Sequence, residues 1–140
     1  MQLQLLRGAW EDHGLRTAWV TLDREDAKTL LTGEDVTYAY GPTTRSFRNL
    51  CRNALLAWRV IRERRPSAIV TTGAAIAVPF AWIGRLLDVP TVYVESLTRI
   101  DTPSVSCRLV KPVADRVYGQ WPELATGRRG VRYAGRVIGA

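Results

Sequence analysis

Three short stretches of the sequence combine residue types that could contact a sugar or a phosphate. Thr72-Gly73-Ala74, Glu95-Ser96 and Gln120-Trp121 each lie at the end of a predicted strand. A glycine lets the backbone approach a ligand closely, and a helix after it would direct its positive end at a phosphate. A carboxylate can bond sugar hydroxyls or accept a proton, and an amide beside an indole can bond and stack on a sugar. Sugar or phosphate chemistry is therefore one hypothesis for these stretches.

Each stretch also has a purely structural interpretation. Gly73 could form an ordinary turn between a strand and a helix. Glu95 could cap a helix or pair with Arg99, and Trp121 could close the edge of a sheet. Both kinds of interpretation stay open from the residues alone.

Histidine and cysteine are too scarce for several other chemistries. His13 is the only histidine, and Cys51 and Cys107 lack the CxxC spacing of a zinc or redox site. Ser/His/Asp catalysis and His/Cys metal binding therefore lack the residues they need. We expect no metal site and no cofactor, and we interpret both cysteines as reduced packing residues and His13 as a partner of a helix C-terminus.

Positive charge is concentrated in one segment. The chain has a formal net charge of +7, and residues 44–65 hold seven arginines and one acid, which is six of those seven charges. The same segment has an apolar stripe at helical spacing, formed by Phe47, Leu50, Cys51, Ala54, Trp58 and Ile61. Four arginines form a basic edge beside the stripe: Arg45, Arg48, Arg52 and Arg59. The pattern predicts a long amphipathic helix.

The basic edge has more than one interpretation. It could be the solvated face of a helix that docks on its own sheet, or it could contact anionic lipid headgroups or an acidic partner. Arginines interleaved with exposed aromatics, and the patterns of recognition helices, RRM domains and zinc fingers, are missing from the sequence. We expect membrane or partner contact at these four arginines and no nucleic-acid partner.

Predicted strands and helices alternate along the chain. Strands are predicted at 17–22, 36–40, 67–72, 90–95 and 115–120, and helices at the opening stretch, from a cap at Asp23 to Leu31, from about 45 to Pro66, at 74–87 and at 105–113. This alternation, with strands too apolar to have a solvated face, indicates an α/β fold with a parallel sheet covered by helices. Ligands of such sheets bind beyond the carboxyl ends of the strands, where all three stretches above would lie.

The length and hydropathy of the chain favour one domain. With 140 residues and 46% apolar composition, the chain can bury one core, so we expect a single domain over residues 1–140. Its apolar runs are broken by proline or charge well before the roughly 20 residues that cross a bilayer. The N-terminus also lacks the pattern of a secretory leader, which favours a cytoplasmic location.

From residue 68 to 137 the sequence resembles a known family. It is similar to the acceptor-side subunit of the two-part UDP-N-acetylglucosamine transferases, the asparagine-linked-glycosylation-fourteen-like family, and to bacterial relatives in exopolysaccharide synthesis. The residues that carry the resemblance are 72–74 with 78–80, 92–96, 99–101, 114–116, 120–122 and 133–136, and residues 41–45 with the helix after them look like the bacterial branch.

The resemblance implies a fold and a function. The fold would be the N-terminal half of a GT-B glycosyltransferase, a Rossmann-like, doubly wound parallel sheet. The chain would bind a polyprenyl-pyrophosphate-linked acceptor and recruit a separate donor-binding subunit, which uses a UDP-sugar, to the inner face of the cell membrane. It would be inactive alone. The resemblance places Gly73, Glu95, Gln120 and Trp121 in the cleft between the two halves of the enzyme. We expect Glu95 to be the catalytic residue, and we expect the substrate to be bound by Thr72, Gly73, Ala74, Ser96, Arg99, Gln120 and Trp121.

The sequence departs from the family pattern at its start. Family members open with a strand, a Gly-Gly-His turn and a helix, whereas this sequence opens inside that helix. In a doubly wound sheet that strand lies centrally. We therefore expect that Met1 is not the natural start and that the preceding DNA encodes the missing strand.

Two other functions compete with the transferase subunit. A noncatalytic membrane scaffold would bind the partner and lipid without any role for Glu95. A basic α/β protein that binds nucleic acid would show steep salt dependence.

Overall fold

The structure is a computed structural model, and it describes residues 6–42, 46–72, 75–96, 103–125 and 131–134. Within these residues the strands are β1 (Ala18–Leu22), β2 (Asp35–Ala39), β3 (Ile69–Thr72), β4 (Thr91–Val94), β5 (Arg116–Gly119) and β6 (Val131–Tyr133). The helices are α1 (Gly8–Glu11), α2 (Glu25–Leu30), α3 (Phe47–Arg64), α4 (Ala77–Leu86), α5 (Val105–Val110) and α6 (Pro122–Ala125).

All strand pairs in the described residues are parallel. β1 pairs with β2 in a two-stranded sheet, in register from Ala18 opposite Asp35 to Leu22 opposite Ala39. The other sheet has the order β3-β4-β5-β6, and each consecutive pair is joined through a helix. The predicted α/β architecture with parallel strands is confirmed.

An apolar cluster packs helices against the four-stranded sheet. Tyr93 of β4 and Val117 of β5 pack with Ala81 of α4, Val110 of α5 and Leu124 of α6. Pro79 lies in the first turn of α4, where its missing N–H removes no hydrogen bond. Buried apolar side chains therefore hold α4, α5 and α6 against the four-stranded sheet.

A second cluster joins both sheets to α3 and α4. Leu56, Ala57 and Ile61 of α3 contact Phe80 of α4 and Ala39 of β2, with partly buried residues of β1 and β3 around them. Both sheets thus contribute to one core beneath α3.

The long helix α3 begins and ends as its sequence predicts. The Ser46 hydroxyl accepts a hydrogen bond from the Asn49 N–H at 3.2 Å, which caps the first turn. Arg65 adopts the left-handed conformation with φ of 46° and ends the helix before Pro66. Arg64 in the last turn pairs with Asp35 at the start of β2.

The face by which α3 docks is different from the predicted apolar stripe. The residues of α3 that are buried are Asn49, Asn53, Leu56, Ala57 and Ile61. Of the predicted stripe, Phe47 is 77% exposed and Trp58 is 41% exposed. The reason is hydrogen bonding, because the Asn53 amide donates to the Tyr40 carbonyl at 3.0 Å and accepts from the Tyr40 N–H at 2.8 Å. Pairing with the end of β2 therefore turns Phe47 and Trp58 outward, whereas Ile61 of the predicted stripe is buried.

Two further expectations need correction. Cys51 is exposed on α3 and does not pack, since it shares the outward face, whereas Cys107 is buried as predicted. Asp23 does not cap α2, because the helix starts one residue later with Arg24 at its N-cap. The Asp23 carboxylate instead pairs with the Lys28 ammonium at 2.9 Å.

Two short elements were not predicted from the sequence. These are α6, with four residues, and β6, with three. Both are shorter than the stretch over which hydropathy shows a period.

Among the described residues, no helix is both long enough and apolar enough to span a membrane.

Candidate functional site

The parallel strands bring three predicted stretches to one edge of the larger sheet. Thr72 ends β3, Glu95 follows β4 and Gln120 follows β5, with Thr72 in register with Val94 and Val94 in register with Tyr118. The Glu95 N–H donates to the Tyr118 carbonyl at 2.8 Å, and the Gln120 side-chain amide donates to the Glu95 carbonyl at 3.2 Å. Glu95 and Gln120 are thus in direct contact at the carboxyl edge.

The Glu95 side chain is fully buried and its carboxylate accepts several hydrogen bonds. The Ser96 N–H donates to Oε1 at 2.9 Å, and the Ser104 N–H donates to Oε2 at 2.8 Å. The Ser104 hydroxyl also lies 2.9 Å from Oε2. The carboxylate therefore joins the end of β4 to the start of α5.

The Ser104 hydroxyl has all its hydrogen-bonding capacity used. A carboxylate oxygen only accepts, so this hydroxyl donates its one hydrogen bond to Glu95. Its lone pairs then accept from the Cys107 N–H at 3.0 Å, which caps α5, and from the Tyr93 hydroxyl at 3.2 Å. Tyr93, Glu95, Ser104 and α5 form one connected polar network in the core.

Burial controls the protonation of two groups around this network. Burial raises the pKa of the Tyr93 hydroxyl, and the nearby Glu95 charge acts in the same direction. Burial, with the Glu95 charge, also raises the pKa of the Cys107 thiol to about 12. Cys107 therefore stays a thiol near neutral pH, which agrees with its interpretation as a packing residue.

The predicted site residues differ in how well a ligand could reach them. Glu95 and Gln120 are buried, whereas Thr72, Ser96 and Trp121 are half-buried at the same edge. The Trp121 carbonyl accepts from the Leu124 N–H at 3.1 Å and so begins α6. Buried Glu95 and Gln120 can fix the positions of the strand ends, and the half-buried residues can contact a ligand. Gly73, Ala74, Arg99 and Arg45, which the sequence also proposes, lie outside the described residues.

A crevice at the carboxyl ends of β1 and β2 was not predicted. It has a volume of about 310 Å³ and is lined by Leu22, Asp23, Arg24, Ala39, Gly41 and Pro42. The sequence held a usable indication, since Asp23 and Gly41-Pro42 directly follow the two predicted strands.

The outward face of α3 is both basic and apolar. Arg48, Arg52 and Arg59 are exposed as predicted. The Arg52 guanidinium lies 3.9 Å from the centre of the Tyr40 ring, and that of Arg62 lies 5.6 Å from the Trp58 ring. Exposed Phe47, Leu55 and Trp58 share this face. The helix thus presents an apolar surface bordered by arginines.

The described part of the chain holds no cluster of three or more histidine, cysteine, aspartate or glutamate residues that could bind a metal ion. The described residues at the carboxyl edge offer amide, hydroxyl, carboxylate and indole groups.

Solved structures share the fold of this chain. It superposes on Acinetobacter baumannii MurG with a TM-score of 0.76 at 14% identity, over 96% of this chain and 41% of MurG. It superposes on the S. aureus MnaA–UDP structure with a TM-score of 0.71 at 16% identity, over 97% of this chain and 40% of MnaA. The Rossmann-like, GT-B-type fold predicted for this chain is confirmed by these similarities.

The family follows from sequence comparison. The family described as oligosaccharide biosynthesis protein Alg14 like matches residues 37–137, and the chain belongs to this family. The UDP-N-acetylglucosamine transferase subunit ALG14 of Eremothecium gossypii is 33% identical over 121 residues, which is 78% of this chain and 53% of that protein. The subunit of the same name from Yarrowia lipolytica is 32% identical over 89 residues, or 59% of this chain and 41% of that protein. The chain thus spans about half the length of the first of these relatives and less than half the length of the second.

Proposed function

We propose that the chain is the acceptor-side subunit of a two-chain glycosyltransferase that uses a UDP-sugar, with UDP-N-acetylglucosamine the first donor to test. The observation that carries this proposal is the family match over residues 37–137. The relatives are named as transferase subunits, which supports a partner chain that binds the donor. A polyprenyl-pyrophosphate-linked sugar is the proposed acceptor.

The strand-end edge supports a role that needs a second chain. Thr72, Ser96 and Trp121 lie along one wall at the carboxyl ends of β3, β4 and β5. The described residues would cover a ligand on this wall from one side, and the donor-binding subunit is proposed to supply the opposite wall.

Transfer assays test the division of labour. We expect sugar transfer from UDP-N-acetylglucosamine to a lipid-linked acceptor when this chain and the donor-binding subunit are mixed, and none from either chain alone. Turnover by this chain alone would overturn the proposal.

The role of Glu95 as acid or base stays a prediction. Its contacts with Ser96 and Ser104 support a positioning role instead. Glu95→Gln separates the two, since loss of a general acid or base lowers kcat by about 10²–10⁴-fold and alters the pH profile. A positioning role predicts lower stability with an unchanged pH profile of the remaining activity. A noncatalytic scaffold predicts that the variant leaves partner binding and membrane recruitment unchanged and that no transfer depends on this residue.

We also propose that the outward face of α3 contacts an anionic membrane on the cytoplasmic side. Phe47 and Leu55 are 77% and 73% exposed, and arginines border them. Apolar insertion together with basic contacts is the pattern of interfacial helices, in which each basic residue near the surface contributes about 1 kcal/mol.

Vesicle sedimentation tests this contact. The protein should bind vesicles that contain phosphatidylglycerol, and changing Arg45, Arg48, Arg52 and Arg59 to Gln should release it. Changing Arg16, Arg24, Arg116 and Arg132, which lie outside α3, removes the same charge and should release much less. Equal release by both sets of variants would mean that net charge alone explains vesicle binding. That result would contradict a specific membrane contact of α3.

A further inference from the structure

A groove lies between α3 and the end of β2. Its lining residues are Tyr40, Arg52, Leu55, Leu56 and Arg59, and its volume is about 220 Å³. We propose that this groove binds the phosphate headgroup of a single lipid molecule, with the lipid's apolar part lying along Leu55. This inference rests on the proposed membrane contact of α3 and gives that contact a specific ligand class.

The walls of the groove are fixed by buried hydrogen bonds. Asn53 is buried in α3 and bonds both the N–H and the carbonyl of Tyr40. These two hydrogen bonds hold the end of β2 at a constant position along the helix. The Tyr40 ring is thereby held where the Arg52 guanidinium stacks on it, at 3.9 Å. Stacking occupies the flat face of the guanidinium and leaves its N–H edges available to an anion.

The charge of the groove favours an anion. Among the described residues, two guanidinium groups line it and no carboxylate does. Within the described part of the chain, neither Arg52 nor Arg59 forms an ion pair. The two residues are seven apart in α3, so they lie on the same side, about two turns or 10 Å along the axis. Flexible side chains at this spacing can reach a phosphate group from two directions, and arginine bonds phosphate through paired N–H groups.

The apolar lining distinguishes a lipid phosphate from a free one. Leu55 is 73% exposed and lies between the two arginines in the sequence of α3. A free phosphate would leave this apolar surface in water, whereas the chain of a lipid would cover it.

Titration with short-chain soluble lipids tests the groove without a membrane. We expect dihexanoyl phosphatidic acid, below its micelle concentration, to bind the protein with one-to-one stoichiometry by calorimetry. Arg52→Gln should weaken binding by about tenfold, since it removes a charge-assisted hydrogen bond. Arg62→Gln is the matched control, because it removes the same charge from α3 outside the groove, and it should change binding less than about threefold. Equal weakening by both variants would overturn the proposal.

A second pair of variants tests the ring. Tyr40→Phe keeps the surface on which Arg52 stacks and should bind as the unchanged protein does. Tyr40→Leu removes that surface and should weaken binding several-fold. Thermal unfolding of each variant confirms that it is folded, and unchanged binding by folded Tyr40→Leu would contradict the role of the ring.

Three other probes identify the ligand. Inorganic phosphate should bind at least about tenfold more weakly than dihexanoyl phosphatidic acid, because it lacks the apolar part. Dihexanoyl phosphatidylcholine should also be weak, since its cationic group offsets the phosphate charge. Geranyl diphosphate binding more tightly than phosphatidic acid would assign the groove to an isoprenyl acceptor lipid, and the reverse order would assign it to a membrane phospholipid. Equal affinity for inorganic phosphate and phosphatidic acid would refute a lipid ligand.

The failure of this inference can be separated from the failure of the membrane proposal. Phe47→Ser with Trp58→Ser removes exposed apolar surface outside the groove and should lower vesicle binding while leaving the titration unchanged. Vesicle binding that survives this double change contradicts the membrane face. A lost lipid titration with intact vesicle binding contradicts the groove.

Discussion

At the scale of single residues, the Ser104 hydroxyl connects three parts of the core. It donates to Glu95 and accepts from the Tyr93 hydroxyl and the Cys107 N–H. A single oxygen atom therefore joins β4, the residue after β4 and the first turn of α5. Such a network specifies one arrangement only when each member is satisfied, and this hydroxyl is fully satisfied.

Ser104→Ala should destabilise the protein by about 1–3 kcal/mol, because it removes a helix cap and leaves buried Tyr93 and Glu95 each short of a partner. Urea unfolding followed by circular dichroism measures this change. Ser67→Ala, at an exposed serine, is the control and should have an effect within about 0.5 kcal/mol. Similar values for the two variants would mean that the network adds no stability.

Stability should decline at alkaline pH because of Cys107. Its thiol has a pKa of about 12 in the folded protein, against about 8.5 in an unfolded chain. Between these two pH values the unfolded state has lost a proton that the folded state keeps. Stability therefore falls as pH rises, and the equilibrium constant for folding decreases by up to about tenfold per pH unit. Tyr93, whose pKa is also raised by burial, adds a second decline above about pH 10.

Urea unfolding between pH 8 and 10 measures this dependence. Cys107→Ala should flatten the decline, whereas Cys51→Ala, which removes an exposed thiol, should leave it unchanged. The slope is the quantity to compare, since the cavity left by Cys107→Ala lowers stability equally at each pH. An unchanged slope in Cys107→Ala would show that this thiol does not titrate on unfolding.

At the scale of elements, α3 shows where sequence patterns stop being sufficient. The limits of the helix follow from Ser46 and Pro66, and its basic edge is where the arginine spacing places it. The docking face could not be deduced from hydropathy, because apolar residues occur on two sides of the helix. Asn53 and Asn49 decide between the sides, since their amides bond backbone groups at the end of β2 and beyond it.

Asn53→Ala should be more damaging than Asn49→Ala. Asn53 satisfies two backbone groups of Tyr40, whereas the Asn49 amide donates to the Pro42 carbonyl alone. We expect a loss of about 2–4 kcal/mol for Asn53→Ala and about 1–2 kcal/mol for Asn49→Ala, given about 1–3 kcal/mol for each buried group left unpaired. Chemical unfolding of the two variants measures the difference, and the opposite order would contradict the bridging role of Asn53.

At the scale of the whole molecule, topology explains why three of the proposed site residues could be predicted to lie at one edge of a sheet. Parallel strands place Thr72, Glu95 and Gln120 at one edge whatever their detailed contacts, so recognising the strands sufficed to group them. The contacts of Glu95 could not be foreseen. They depend on Ser104, nine residues away, reaching the carboxylate, and strand positions alone do not imply that meeting.

The described residues form two separate parallel sheets, and this division carries a prediction about stability. β4 is bonded on both sides by β3 and β5, whereas β1 has β2 alone as a described neighbour. A two-stranded sheet is marginal in isolation and relies on packing, here on the cluster beneath α3. Backbone amides of β1 and β2 should therefore exchange with solvent at least about tenfold faster than those of β4 and β5. The reason is that local opening requires far less free energy than global unfolding.

Hydrogen–deuterium exchange followed by mass spectrometry measures this difference, with peptides from β5 as the internal reference. Uniform protection of both sheets would show that they unfold as one unit and would contradict this prediction.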